Sequence, residues 1–70
     1  MSTQLSSPTS LLRKYITIHF DGQDDYAYVQ AVSDEHLEVL VNPDKGDEEF
    51  YAELYLEDFL DSWYIVEIHQ

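Results

Sequence analysis

The side chains with the most obvious chemistry in this sequence are its carboxylates and imidazoles, and their spacing decides what chemistry is open to them. Fifteen Asp and Glu and three His stand among 70 residues, with no cysteine to act as thiolate ligand or nucleophile. Acid-rich runs invite calcium, and Asp21-Gly22-Gln23-Asp24-Asp25 and Asp44-Lys45-Gly46-Asp47-Glu48-Glu49 are two such runs. Neither has the twelve-residue order of oxygen ligands around a central glycine, so weak, non-specific cation binding is expected rather than a dedicated site. His19, His36 and His69 match no zinc spacing, and only the fold could gather them. They are expected to be ordinary histidines on a strand face, in a turn and at the C-terminal end. Two carboxylates in different environments can act as acid and base. With fifteen acids some pair is always close, so such a pair carries no specificity. No glycine-rich phosphate loop, nucleophile elbow or Ser-His-Asp order occurs. The expectation is a protein that is no enzyme and needs no cofactor or metal.

Charge is the dominant feature. Fifteen acids oppose three Lys and Arg, for a net charge of −12. From Tyr15 onward Lys45 is the single base. The carboxylates must face water and repel one another, which works against the compact state. Direct binding of nucleic acid is excluded, because affinity for phosphates comes from Lys and Arg, and anionic membranes are repelled likewise. Basic protein partners are attracted. Disorder fits poorly with 44% hydrophobic residues, six Tyr, three Phe and one Trp. A chain of this length forms one domain of modest stability, and such domains often gain stability by oligomerising. A homodimer is therefore expected, with some aromatics at the surface. No apolar run is long enough to span a membrane and the N-terminus lacks the order of a signal peptide, so the cytoplasm is the expected location.

Residues 1–12 read as a flexible tail or short helix opened by Ser7-Pro8, and residues 13–70 as a single β-rich domain. Tyr15 to Phe20 alternates, with Ile16, Ile18 and Phe20 on one face. Asp21 to Asp25 reads as a turn with a strong Asp-Gly hairpin signal. Tyr26 to Val32 and Leu37 to Val41 are two further strands, separated by a turn over Ser33 to His36. From Phe50, period two places Phe50, Ala52, Leu54 and Leu56 on one face and Tyr51, Glu53, Tyr55 and Glu57 on the other. A helical turn near 57–62 and a closing strand from Trp63 complete the chain. The fold class is mainly β: a small five-stranded barrel or a strongly twisted antiparallel sheet. The alternative is α+β, with one helix over 47–61 packed on the sheet.

The order of these elements, with Ala52-Glu-Leu-Tyr-Leu-Glu-Asp-Phe-Leu running from a fourth strand into a 3-10 turn, resembles the SH3-like and Sm-like barrels. That resemblance implies binding of RNA or basic tails, and the charge permits only the second. Tyr51, Glu53, Tyr55 and Glu57 are expected to project together, like neighbours about 6.7 Å apart. Carboxylates at such intervals can stand in for backbone phosphates. The acids Asp21, Asp24, Asp25, Asp34, Glu35, Glu38, Asp44, Asp47, Glu48, Glu49, Asp58 and Asp61 extend the candidate surface, and Tyr51 and Tyr55 are candidate dimer or contact residues.

In length, lack of cysteine and acids from Asp21 to Glu67 against a lone Lys45, the chain resembles phage-encoded DNA-mimic proteins. Within that group it is similar to small host-takeover proteins of Bacillus phages, which include an inhibitor of the histone-like nucleoid protein HU. The resemblance implies a homodimer that occupies the DNA-binding surface of a basic host protein, in the host cytoplasm or nucleoid, and blocks DNA competitively. The other expectation is an acidic interaction module, such as an adaptor, antitoxin or anti-CRISPR-like inhibitor, acting on a different basic protein.

Overall fold

Alternation of apolar and polar residues builds one sheet. In the computed structural model, which describes residues 8–69, the strands are β1 (Tyr15–Phe20), β2 (Gln23–Val32), β3 (His36–Val41), β4 (Phe50–Tyr55) and β5 (Trp63–His69). They pair antiparallel in the order β4-β3-β2-β1-β5. Every strand turns the same set of residues inward: Ile16 and Ile18, Ala27 and Val29, Leu37, Val39 and Val41, Leu54, and Trp63 are all buried. Leu11, at the end of a 3-10 turn over Pro8–Leu11, joins that core from the N-terminal side.

The hairpin between β1 and β2 is tighter than expected. Asp21 and Gly22 have φ of 55° and 82°, the left-handed pair that a two-residue turn with the twist of its strands requires. Gln23, Asp24 and Asp25 are therefore not turn residues but the start of β2, opposite Phe20, His19 and Ile18. The second turn is likewise shorter, and His36 is the first residue of β3, opposite Tyr55.

Mainly β architecture is what the structure shows. The helix over 47–61 is absent: β4 occupies its middle, between 3-10 turns at Gly46–Glu48 and Leu56–Asp58. The physical reason lies in period two, which buries Leu54 and leaves Tyr51 70% exposed; a helix would have put Leu54 on the wrong side. The helical turn expected near 57–62 is the shorter 3-10 turn Leu56–Asp58, which begins one residue earlier and ends at Asp58. Phe50, on the inward-facing register, stays 44% exposed at the start of this edge strand.

The sheet is twisted but not closed into a barrel. Two β-bulges bend it: Gln30 has no opposite in β3, and Val66 has none in β1. β4 and β5 share no ladder among the described residues. They are tied instead by the Trp63 indole N–H, which donates to the Tyr55 carbonyl at 2.8 Å. Trp63 also pairs with Phe20 across the β1–β5 ladder, and the Leu56 N–H donates to the Glu35 carbonyl at 2.9 Å. These links string the β2–β3 turn, the end of β4 and the start of β5 together. No helix among the described residues is long and apolar enough to cross a membrane.

Candidate functional site

Register decides which acids meet. In the β3–β4 ladder His36 stands opposite Tyr55, Glu38 opposite Glu53, and Leu40 opposite Tyr51. All six are on the face away from the core, since the alternate residues Leu37, Val39 and Leu54 are the buried ones. The His36 ring stacks on Tyr55 with centroids 5.2 Å apart. The Tyr55 hydroxyl donates to Glu53 Oε1 at 3.1 Å, and His36 Nε2 lies 3.9 Å from Glu38 Oε2 and 3.9 Å from Glu53 Oε2.

Turn acids enlarge this group. The bond from the Leu56 N–H to the Glu35 carbonyl sets the β2–β3 turn against the 3-10 turn that carries Glu57. The Tyr55 phenol reports the crowding. Its pKa is raised above the usual tyrosine value, first by the hydrogen bond it donates to Glu53, then by the charge of Glu53, by desolvation, and by the charges of Glu35 and Glu57. Glu38, Glu53, Glu35 and Glu57 thus form one patch around the His36–Tyr55 stack, with Asp34 and Asp58 adjoining in sequence. Two shallow depressions flank it. One is lined by Gln30, Glu38, Tyr51, Ala52 and Glu53, the other by Glu35, Tyr55, Leu56 and Glu57.

The remaining candidate acids lie elsewhere. Asp21, Asp24 and Asp25 flank the β1–β2 turn, and Asp24 Oδ1 bonds His19 Nδ1 at 2.7 Å. Asp44, Asp47, Glu48 and Glu49 occupy the β3–β4 connection, where the Asp44 N–H donates to Glu49 Oε2 at 3.0 Å. Asp61 lies between the 3-10 turn and β5. Glu57 falls outside the row expected along β4, because the strand ends at Tyr55 and the chain coils at Leu56. The row of carboxylates along one strand is replaced by a cross-strand pair with flanking turns.

Every Asp and Glu side chain is at least partly exposed, and among the described residues none is paired with a Lys or Arg. The ion-pair contacts that do occur are to His19 and His36. The negative field is therefore presented to the outside rather than neutralised within.

A second cluster was not among the candidate residues. On the outer face of β1, β2 and β5, Tyr15 stacks on Tyr26 with centroids 5.4 Å apart and touches Tyr28 at 4.8 Å, while His69 meets Tyr26 edge-on at 5.2 Å. Thr17 Oγ1 and His69 Nε2 are hydrogen-bonded at 2.8 Å, so His69 is held within β5. Alternation places Tyr15, Tyr26 and Tyr28 outward, and that signal alone could have marked them. Chemically, carboxylates at a surface can bond a guanidinium bidentately and flat rings can stack on it, while an ammonium is held as a point charge.

Comparison with protein-family models, with curated protein sequences and with solved structures finds no match to this chain.

Proposed function

We propose that this protein is an inhibitor that works by charge mimicry, occupying the DNA-binding surface of a basic protein and excluding DNA. The observation that carries this is the continuous acidic patch of Glu35, Glu38, Glu53 and Glu57, held on paired strands and turns with no Lys or Arg to neutralise it. A DNA-binding protein presents Lys and Arg to phosphates, and carboxylates fixed on a rigid sheet can accept the same hydrogen bonds. No catalysis is involved. Tyr51 and Tyr55, both exposed beside the patch, add apolar contact and stacking area. A histone-like nucleoid protein is the partner whose chemistry fits best, and a homodimer of the inhibitor would offer it two such patches.

The aromatic cluster of Tyr15, Tyr26 and Tyr28 favours a second reading, an acidic interaction module that grips an arginine-rich segment of some other basic protein. Affinity capture from a bacterial lysate followed by DNA competition separates the two. Mimicry predicts recovery of a nucleoid protein and its release from the inhibitor by duplex DNA. Simultaneous binding of DNA and inhibitor to the recovered protein refutes mimicry.

A further inference from the structure

We propose that His36, Glu38 and Glu53 form a binding site for one zinc ion. Spacing along the chain hides it, because the third ligand comes from the neighbouring strand. In the fold, one donor atom from each of the three residues lies within 4.8 Å of the others. His36 Nε2 is 3.9 Å from an oxygen of each glutamate. Zinc bonded at about 2.0–2.2 Å to imidazole nitrogen and carboxylate oxygen sets its tetrahedral ligands about 3.4 Å apart. Closing the site takes about half an ångström along each His36–Glu edge and up to about 1.4 Å along the Glu38–Glu53 edge, within reach of side-chain rotations in two glutamates that are 44% and 54% exposed. Three protein ligands and one open position for water is a common zinc arrangement.

The surroundings orient the donors. The Ser33 hydroxyl bonds His36 Nδ1 at 3.0 Å, and the ring lies on Tyr55. That leaves Nε2 as the nitrogen directed at the carboxylates, with neither oxygen close enough to bond it. The Tyr55 hydroxyl engages Glu53 Oε1, which leaves Oε2 for a metal. Such outer contacts fix a histidine's orientation in metal sites. Electrostatics favour a cation here as well. Glu38 and Glu53 are directly opposed like charges, which weakens a ladder, and among the described residues no Lys or Arg pairs with either. The imidazole selects for zinc over calcium or magnesium, which prefer oxygen ligands. The acid-rich loops, with oxygen donors alone, have no such preference.

Calorimetric titration of zinc chloride into the intact chain tests this, with calcium and magnesium chloride as controls. One zinc ion per chain is expected, bound more tightly than either control. Glu38→Gln, Glu53→Gln and His36→Gln should each weaken binding by at least about tenfold. Circular dichroism of the three variants verifies that they fold. Proton NMR should show the His36 ring signals shifting on zinc addition while those of His19 and His69 stay in place. Zinc affinity unchanged in all three variants, or equal uptake of zinc and calcium, overturns the proposal.

Discussion

Removing one charge from the Glu38–Glu53 pair should stabilise the protein, against the usual effect of substituting a residue on a sheet. Their facing carboxylate oxygens lie within 4.8 Å of one another. Two unit charges at that distance repel by about 0.9 kcal/mol in water, and by more where the dielectric is lower. Side-chain exposures of 44% and 54% place the pair near the water limit. A coupling of about 0.5–1 kcal/mol follows, in the range of cross-strand pairs. For a domain of this size that corresponds to about 2–8 °C in melting temperature. The assay is a double-mutant cycle of Glu38→Gln and Glu53→Gln, followed by thermal unfolding at low salt, pH 8.5, with a chelator present. Each single variant should melt above the parent. The double variant should gain little beyond either one, because the repulsion is already gone. In 1 M salt, where the Debye length is about 3 Å, the coupling should vanish. Fully additive gains, or single variants that melt lower, would refute the reasoning.

Three further outcomes are expected. Tyr55 should ionise at higher pH than an ordinary tyrosine, because its neutral hydroxyl donates to Glu53 and three carboxylates oppose the phenolate; Glu53→Gln should lower its midpoint in a pH titration followed by NMR. Leu60→Gly should raise stability by about 1 kcal/mol in denaturant unfolding, since Leu60 holds φ at 76° while 48% exposed, a backbone region costly for residues with a side chain. Trp63→Phe should cost at least about 1 kcal/mol by leaving the Tyr55 carbonyl without its indole donor and opening the link between β4 and β5.

Strands were legible in the sequence wherever one face is buried. Ile16 and Ile18 flank Thr17, Ala27 and Val29 flank Tyr28, and Leu37 and Val39 flank Glu38, and all six are inward in the structure. The Asp21-Gly22 hairpin announced itself through the one dipeptide suited to two left-handed residues. Element ends were less legible. Period two cannot tell where pairing stops, so Asp24 and Asp25 read as turn residues and Glu57 as part of β4. The His36 boundary had the largest consequence. Read as a turn residue, His36 had no face; as the first residue of β3 it shares one with Glu38 and lies opposite Tyr55. The patch itself could not be read, because the juxtaposition of Glu38 with Glu53 depends on the β3–β4 register. That register is set by burial of Leu37 against Leu54 and Val39 against Ala52, contacts between residues distant in sequence. The tie from Trp63 to the Tyr55 carbonyl left no trace in the sequence pattern either, since a backbone acceptor carries no residue identity.

The proposed inhibition rests on fixed carboxylates acting as substitutes for phosphates. The most direct measurement is the affinity of the protein for a purified histone-like nucleoid protein as sodium chloride rises from about 50 to 200 mM, a span over which phosphate-type contacts lose orders of magnitude in affinity. Charge mimicry predicts a fall of at least about tenfold, made shallower by Glu35→Gln, Glu53→Gln and Glu57→Gln together. An affinity that salt leaves unchanged, or no binding even at the lowest salt, would contradict it.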